Sequence, residues 1–259
     1  MKIALLGYGK MGKAIEKIAI AKGHEIVYRV DLNNAFDFLP LSLQNVDVAI
    51  DFSMPTAAVD NILKCFEANV PIVVGTTGWY DQFDAIKEKC LSEKQSMVYS
   101  SNFSIGVNIF YKINKMLAQI MKNHDYDVMI NESHHTAKKD HPSGTALTLA
   151  NQIMAENTKK EKIKDRLLFD NSTPAQSTKS NELLIESYRE GDIMGDHTVR
   201  YENIIDIIEI THSAKSRYGF AQGAVLAAEW LVGKKGIYTL DDIFVSDIIT
   251  EHEALIALH

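Results

Sequence analysis

The sequence predicts an α/β fold in which a doubly wound parallel sheet carries an inserted α+β domain. A glycine-rich turn follows the first apolar segment, and strand-like segments then alternate with helical ones through the first part of the chain. A run of further strand-like segments follows in the second part. We therefore place the first domain at residues 1–104 and 217–259, and the inserted domain at residues 105–216.

The chain is acidic, which limits the classes of partner. It has 27 Lys and Arg residues against 34 Asp and Glu residues, for a formal net charge of -7. Such a balance disfavours binding to nucleic acid or to an anionic membrane, and no apolar run is long enough to cross a bilayer. Cys65 and Cys90 lie in expected helices without the spacing of a metal site, so we predict buried thiols, no metal centre and a cytoplasmic location.

The first element is a buried strand over residues 3–6, which leads into a glycine turn and a helix over residues 11–21. This order is the context of a Rossmann dinucleotide fingerprint, in which successive glycines permit a tight turn, approach to a pyrophosphate and packing of helix on strand. We therefore predict coenzyme contacts from the whole turn, namely Gly7, Tyr8, Gly9, Lys10, Met11 and Gly12.

A second strand, residues 24–30, ends in Asp31, whose carboxylate could accept hydrogen bonds from ribose hydroxyls. No arginine follows Asp31, and a carboxylate there would repel a 2′-phosphate, so we expect NADH to be used well. Lys10 and Arg29 could still approach a 2′-phosphate, so NADPH also remains open as a coenzyme.

Three more strands are predicted at residues 46–52, 70–74 and 96–99, with helices at residues 55–69 and 80–93 between them. In a doubly wound sheet, the loops at the carboxyl ends of the strands form the ligand crevice. The loops here carry small hydroxyl or amide groups and two phenylalanines that could contact ribose, carboxamide and nicotinamide. The expected contacts are Phe52, Gly75, Thr76, Thr77, Ser100, Ser101, Asn102 and Phe103.

The inserted domain should begin with a core-facing helix over residues 106–122, because Val107, Phe110, Ile113, Leu117 and Ile120 recur at helical spacing. A strand over residues 127–131 follows. The next helix, residues 146–156, has Ser143 as its predicted N-cap, which leaves backbone amides free for an anion.

The segment between that strand and that helix, ESHHTAKKDHPSGTA, concentrates cationic and titratable groups. Histidine has an unperturbed pKa of about 6.5, so His134 could donate or accept a proton at neutral pH. His135, Lys138 and the amides near Gly144 and Thr145 could hold carboxylates. Lys139 and His141 are expected to be solvated loop residues.

The remainder of the sequence predicts strands at residues 182–186, 197–201 and 204–211. Gly191 and Gly195 indicate a turn between the first and second of these strands. Residues 157–166 are interpreted as a solvated connection or a helix end, without an assigned function. An apolar helix over residues 220–232, a short acidic turn or helix at 241–244 and a possible strand at 245–249 close the chain.

Several of these motifs together resemble the dihydrodipicolinate reductase family of bacterial and plant lysine synthesis. They are GYGKMG, DFS, GTTG, SSNFSIGVN, ESHHTAKKDHPSGTA, GDxxGxH and EITH, in order through nearly the whole chain, although residues 157–181 match no motif. The resemblance implies NAD(P)H-dependent reduction of 4-hydroxy-tetrahydrodipicolinate, a cyclic dicarboxylate imine. It also implies that His134 donates or accepts a proton, that Lys138 is a second donor, and that the inserted domain joins a homotetramer.

Two other functions share these features. One is a different imine-reducing dehydrogenase built on the same plan, and the other is a catalytically silent protein that senses a dinucleotide. The intact set of His134, His135 and Lys138 argues against the silent protein.

Overall fold

A computed structural model describes residues 1–31, 33–34, 39–169, 179–216 and 218–244 of the chain. The chain forms two compact units. The first contains Met1–Ile105 and the chain from Tyr218 onward, and the second contains Gly106–Arg217. The strand predicted at residues 245–249 lies outside the described residues.

The first unit is built on a six-stranded sheet in which all neighbouring strands are parallel. Its strand order is β11-β5-β4-β3-β1-β2, so the predicted doubly wound parallel sheet is confirmed. The strands are β1 (Lys2–Leu6), β2 (Glu25–Val30), β3 (Val48–Asp51), β4 (Ile72–Val74), β5 (Ser96–Tyr99) and β11 (Gly236–Tyr238).

Helices cover both faces of this sheet, which explains why its strands are apolar without alternation. Ile3 and Leu5 pack in one core with residues of α1 and α6, whereas Ala4 and Leu6 pack in the other with residues of α2 and α3. Cys65 and Cys90 are buried in the second core, as predicted. The helices are α1 (Lys10–Ala21), α2 (Pro55–Glu67), α3 (Phe83–Ser92) and α6 (Tyr218–Leu231).

Two short 3-10 turns, Pro40–Leu43 and Tyr80–Gln82, accompany these helices. The second turn occupies the start of the helix predicted from residue 80, so regular α-helix begins only at Phe83. The helix predicted over residues 220–232 is confirmed as α6, and Gly233 follows it with a φ of 83°.

The second unit holds a five-stranded mixed sheet in the order β10-β9-β6-β8-β7. Its first two pairings are antiparallel and its last two are parallel, which confirms the α+β character predicted for this part. Two helices, α4 (Ile105–Met121) and α5 (Gly144–Glu156), contribute to its core. The strands are β6 (Asp127–His134), β7 (Lys162–Phe169), β8 (Glu182–Arg189), β9 (Asp196–Glu202) and β10 (Ile207–Ser213).

The buried face of α4 differs from the predicted one. Ile113 is 46% exposed and Ile120 is 60% exposed, so both were wrongly assigned to the core. Asn114 takes their place in the buried stripe, because its amide donates to the carbonyl of Leu149 (3.2 Å) and to the side chain of Gln152 (2.9 Å). Because Asn114 bonds to residues of α5, the buried face of α4 is not its most apolar face.

The interpretation of residues 157–166 as a solvated connection or helix end holds for residues 157–161, which follow the end of α5, except that Lys160 is buried. It was wrong for the rest. Strand β7 begins at Lys162 and pairs in parallel with β8. Lys160 is only 5% exposed, and its ammonium donates to Asp127 (2.5 Å) and to the carbonyl of Glu182 (2.8 Å). The strand was missed because the many lysines of this segment are typical of a solvated loop. Charged side chains are also common on strands at the edge of a sheet, as here.

Among the described residues, no helix has both the length and the apolar character needed to span a membrane.

Candidate active site

A cleft of about 500 Å³ lies in the first unit, beside the carboxyl ends of β1, β2 and β3. Five of the predicted coenzyme residues line it, namely Gly7, Tyr8, Gly9, Asp31 and Phe52. The rest of its wall comes mainly from the loop after β3 and the start of α2. This is the crevice that a doubly wound sheet offers to a ligand.

The three glycines of the turn have different surroundings. Gly7 has a φ of +93°, and a Cβ there would lie 2.1 Å from the carbonyl oxygen of Phe52. A Cβ at Gly12 would lie 2.3 Å from the carbonyl oxygen of Gly7, so both positions require close backbone packing. At Gly9, the N-cap of α1, a Cβ would meet none of the described residues within 4 Å, and none of their side chains caps the helix. The open helix start fits a pyrophosphate.

Asp31 lies at the rim of this cleft, directly after β2. One of its carboxylate oxygens accepts a hydrogen bond from the backbone N–H of Asn33 (2.8 Å), and its own N–H donates to the side chain of Asn34 (2.7 Å). These bonds hold the turn, and they place an acceptor where a ribose hydroxyl could reach it.

A buried carboxylate, Asp51, joins two of the predicted coenzyme loops. It accepts hydrogen bonds from Thr76 (2.5 Å), Ser53 (2.8 Å) and Asn61 (2.8 Å), and burial raises its pKa. The hydroxyl of Thr76 also accepts from the backbone N–H of Ser53 (2.8 Å). The Thr76 side chain is thus engaged within the protein, and Asp51, the first residue of the DFS motif, holds the two loops together.

The loop after β5 is likewise occupied by its own hydrogen bonds. Ser100 donates to the carbonyl of Asn102 (2.8 Å), and the side chain of Asn102 accepts from the N–H of Ser104 (2.9 Å). Phe103 is 1% exposed, and its ring packs edge-on against Phe52 with centroids 5.7 Å apart. The predicted coenzyme residues outside the lining of the cleft are Lys10, Met11, Gly12, Gly75, Thr76, Thr77, Ser100, Ser101, Asn102 and Phe103.

In the second unit, the centre of the charged cluster is Glu132, which is 1% exposed on β6. Both of its oxygens lie 3.1 Å from the backbone N–H of Ser143, one lies 3.6 Å from Nε2 of His197, and the other lies 3.8 Å from Arg189. Burial alone would raise the pKa of Glu132, but the nearby His197 ring and the hydrogen bonds from Ser143 bring it down to about 2. Glu132 is therefore a buried anion at neutral pH.

His134 ends β6, two residues beyond Glu132 on the same face, and is 8% exposed. Its Nδ1 lies 3.8 Å from Glu132, and no hydrogen-bond partner for that nitrogen is found among the described residues. Burial lowers the pKa of His134 to about 4, although the charge of Glu132 opposes this shift. The sequence offered only the reference pKa of histidine, about 6.5, because burial cannot be read from the residue type.

Gly195 lies directly against the His134 ring. It has a φ of +150°, and a Cβ there would lie 3.1 Å from Nε2 of His134. The turn between β8 and β9, predicted from Gly191 and Gly195, thus forms one wall of the histidine site.

The loop that carries Lys138 is held through its backbone by Arg189. Nε of this 3% exposed arginine donates to the carbonyl of Lys138 (3.1 Å), and Nη2 donates to the carbonyl of Asp140 (2.8 Å). The Lys138 ammonium itself pairs with the carboxylate of Asp140 at 2.5 Å. Asp140 is largely exposed, so a carboxylate ligand could take its place on Lys138 at little cost.

Helix α5 begins beside this loop. Ser143 is confirmed as its N-cap, since its hydroxyl accepts from the N–H of Ala146 (3.2 Å). Gly144 is exposed, and a Cβ there would meet nothing within 4 Å, while Thr145 and His135 are half-buried. The helix start is therefore open to an anion.

Lys139 is exposed, as predicted, but His141 is more engaged than predicted. Its Nδ1 lies 2.5 Å from the carboxylate of Asp165 on β7, a pairing that could not be foreseen while β7 itself was unrecognised.

Three side chains of this cluster could hold a metal ion by geometry, because ligand atoms of Glu132, His134 and His197 lie within 4.8 Å of one another. Glu132 is already bonded to the N–H of Ser143, and Arg189 adds a positive charge beside it. A metal ion would have to displace these contacts. We therefore infer that Glu132 and His197 set the electrostatic surroundings of His134.

Glu132, Arg189 and His197 were not predicted as site residues. Two of them lie within quoted motifs, since Glu132 opens ESHHTAKKDHPSGTA and His197 closes GDxxGxH. The signal was present, but only the strand pairing Glu132↔His197 shows that the two motifs meet.

The chain matches two family models, dihydrodipicolinate reductase N-terminus over residues 1–103 and C-terminus over residues 106–244. A 4-hydroxy-tetrahydrodipicolinate reductase of Christiangramia forsetii is 46% identical, with 96% of this chain and 99% of that protein covered. One from Archaeoglobus fulgidus is 38% identical, covering 93% and 99%. The solved dipicolinate-bound dihydrodipicolinate reductase of Paenisporosarcina sp. TG-14 has a TM-score of 0.74 at 22% identity, covering 92% and 97%. The chain therefore belongs to the dihydrodipicolinate reductase family, whose members are NAD(P)H-dependent oxidoreductases.

Proposed function

We propose that this chain reduces (2S,4S)-4-hydroxy-2,3,4,5-tetrahydrodipicolinate to tetrahydrodipicolinate in lysine biosynthesis through diaminopimelate. The substrate, one NADH or NADPH and one proton give tetrahydrodipicolinate, the oxidised coenzyme and water. The observation that carries this proposal is the 46% identity, over 96% of the chain, to a protein named for this reaction. The dipicolinate bound to a solved family member is a planar dicarboxylate and supports the same substrate class.

The first unit holds the coenzyme in the cleft beside β1, β2 and β3. Gly9 and the open start of α1 bind the pyrophosphate, and Asp31 accepts hydrogen bonds from the adenosine ribose. Asp51 fixes the loops at the ends of β3 and β4, which we assign to the nicotinamide half together with the loop after β5. The bound coenzyme supplies the hydride.

The second unit holds the dianionic substrate. The amides of Gly144 and Thr145 at the start of α5 bind one carboxylate, and His135 and Lys138 supply further donors. Because these groups are fixed by the fold, they need not reorient as charge shifts during the reaction. Lys138 exchanges its exposed partner Asp140 for the substrate.

His134 delivers the proton to the carbon next to the hydride acceptor, and Lys138 acts as the second donor. With its pKa lowered to about 4, His134 is neutral at pH 7 in this structure. A dianion nearby favours the charged imidazolium and raises the pKa of the histidine. Proton uptake by His134 is therefore coupled to substrate binding.

We further propose that the enzyme is a cytoplasmic homotetramer joined through the second unit, which corresponds to the substrate-binding domain predicted at residues 105–216. Support comes from the family resemblance and from apolar side chains exposed on β10, where Ile207 is 49% and Ile208 is 37% exposed. Light scattering tests the assembly, with an expected mass about four times the 29.0 kDa of the chain. A monomer at working concentration would refute it.

The reaction is tested by following the oxidation of NADH and NADPH with substrate generated in place from aspartate semialdehyde and pyruvate. Rapid oxidation that depends on both precursors supports the proposal. Turnover of other cyclic or open imines, without activity on this substrate, would indicate a different imine-reducing dehydrogenase. Coenzyme binding without any oxidation would indicate a silent dinucleotide sensor.

A further inference from the structure

We propose that Glu16 sets the coenzyme preference of this enzyme, by holding the guanidinium of Arg29 that would otherwise pair with a 2′-phosphate. The inference rests on the coenzyme cleft proposed above. It addresses a point that the sequence left open, namely whether Arg29, two residues before Asp31, can approach a 2′-phosphate.

The geometry begins at the wall of the cleft. Tyr8, between the first two glycines, lines the cleft, and its hydroxyl donates to a carboxylate oxygen of Glu16 in the second turn of α1. The other oxygen of Glu16 accepts from Nε of Arg29 at 2.8 Å and also from Nη2. A single carboxylate therefore connects a cleft residue to the arginine of β2.

Arg29 is placed close to the cleft but is not available to it. Its guanidinium carbon lies 5.9 Å from the centre of the Tyr8 ring, and its remaining terminal nitrogen donates to the carbonyl of Ile26 (3.3 Å). Glu16 accepts hydrogen bonds from Nε and Nη2, and the carbonyl of Ile26 accepts one from Nη1. The Nε/Nη2 edge, which could bind a phosphate, is therefore engaged. The side chain is still 41% exposed, so it can move if Glu16 releases it.

Glu16 opposes a 2′-phosphate in two ways. It neutralises the nearest arginine, and it adds a negative charge beside Tyr8. Lys13 also lies near this ring, with its ammonium 5.8 Å from the ring centre, so a second cation is close to Tyr8. The hydrogen bond from Tyr8 lowers the pKa of Glu16, with a contribution from Arg29, so the carboxylate is ionised at neutral pH. A ribose hydroxyl, being neutral, is indifferent to these charges.

The test uses Glu16→Gln, which removes the charge but keeps an oxygen that can accept from Tyr8. The double variant Glu16→Gln with Arg29→Met asks whether any gain passes through Arg29. Glu229→Gln is the matched control, because Glu229 also bonds two basic groups, Lys22 (2.6 Å) and His24 (2.8 Å), but neither of these partners lines the cleft, whereas Tyr8, the partner of Glu16, does. Dissociation constants for NADH and NADPH, by quenching of protein fluorescence, and kcat/KM for each coenzyme are measured.

We expect Glu16→Gln to shift the NADPH-to-NADH ratio of affinities and of kcat/KM towards NADPH by about fivefold, the upper end of the range for one exposed charge interaction. The double variant should lose most of this gain, and Glu229→Gln should show none. An unchanged ratio in Glu16→Gln would overturn the inference while leaving the coenzyme cleft intact. A gain that persists in the double variant would overturn the role of Arg29. If the unaltered enzyme bound neither coenzyme, the proposed cleft would fail, and this inference with it.

Discussion

Nε of Arg189 donates a hydrogen bond to the backbone carbonyl of Lys138 across 3.1 Å, which ties the end of β8 to the loop that carries the proposed second proton donor. The same guanidinium lies 3.8 Å from Glu132, so one buried cation is shared between the Lys138 loop and the His134 neighbourhood. Arg189 is thus a positioning residue for both proposed catalytic groups.

Arg189→Met should lower both stability and activity. The change releases the Lys138 loop and leaves Glu132 as a buried anion without its cation, which typically costs about 3 kcal/mol or more in the free energy of unfolding. Urea unfolding measures this loss, and steady-state kinetics should show a lower kcat. Arg189→Lys keeps the charge, so it should recover more of the lost stability than of the lost kcat. The reason is that an ammonium cannot reproduce the separate bonds to the carbonyls of Lys138 and Asp140. Equal kcat in all three proteins would refute the positioning role.

Glu132→Gln should shift the pH dependence of the reaction. The charge of Glu132 raises the pKa of His134, so its removal makes the imidazole harder to protonate. We expect the pH optimum of kcat/KM to move to lower pH by about one unit. Glu186→Gln is the control, because Glu186 is an equally buried glutamate on β8 that bonds Tyr188 (2.8 Å) instead. The same shift in both variants would mean that His134 is not the group responsible.

His134 should also make the fold sensitive to acid. Its pKa is lowered to about 4 in the folded state and is about 6.5 in the unfolded chain. Between these two pH values, the unfolded chain therefore binds more protons than the folded protein. Stability therefore falls as the pH falls through this window, by about 2 kcal/mol at pH 5. His134→Gln should lose less stability than the unaltered protein between pH 7.5 and pH 5. Exposed His124→Gln serves as the control, and thermal unfolding at both pH values measures the difference. An identical acid loss in His134→Gln would contradict the assignment of a neutral buried histidine.

Gly195→Ala should impair catalysis through contact with the His134 ring. The added Cβ would lie 3.1 Å from Nε2, so the ring must shift. Gly191→Ala is the matched control, because Gly191 also has a positive φ, of 46°, but a Cβ there meets nothing within 4 Å. Both changes should cost about 1 kcal/mol or more in stability from backbone strain. Only Gly195→Ala should lower kcat, by about tenfold or more if a misplaced acid–base group is the cause.

The sequence predicted the architecture well because the strand-like and helix-like spacings of apolar residues and the glycine turn are local signals. The continuous apolar runs of β1 and β3 indicated a sheet covered on both faces, and the structure confirms that arrangement. The face of α4 and the strand β7 were misread because contacts distant in sequence decide them. Asn114 is buried only because Leu149 and Gln152 accept its bonds, and Lys160 is buried only because Asp127 lies beside it.

The site was predicted unevenly for the same reason. His134, Lys138 and the start of α5 lie in one contiguous segment, and their chemistry is visible in the residue types. Glu132 and Arg189 act through burial and through backbone carbonyls, which residue types do not reveal. The pKa of His134 could not be inferred either, because it depends on desolvation by the assembled sheet and helix.

The central claim is that His134 and Lys138 supply the protons of an NAD(P)H-dependent reduction of 4-hydroxy-tetrahydrodipicolinate. The most direct measurement is kcat for this substrate, generated in place, with the unaltered enzyme and with His134→Gln and Lys138→Ala, after coenzyme binding has been shown to be intact in each. We expect kcat to fall by about 10² to 10⁴ in each variant, the usual contribution of acid–base catalysis. Near-normal kcat in both variants, with the unaltered enzyme active, would contradict the claim.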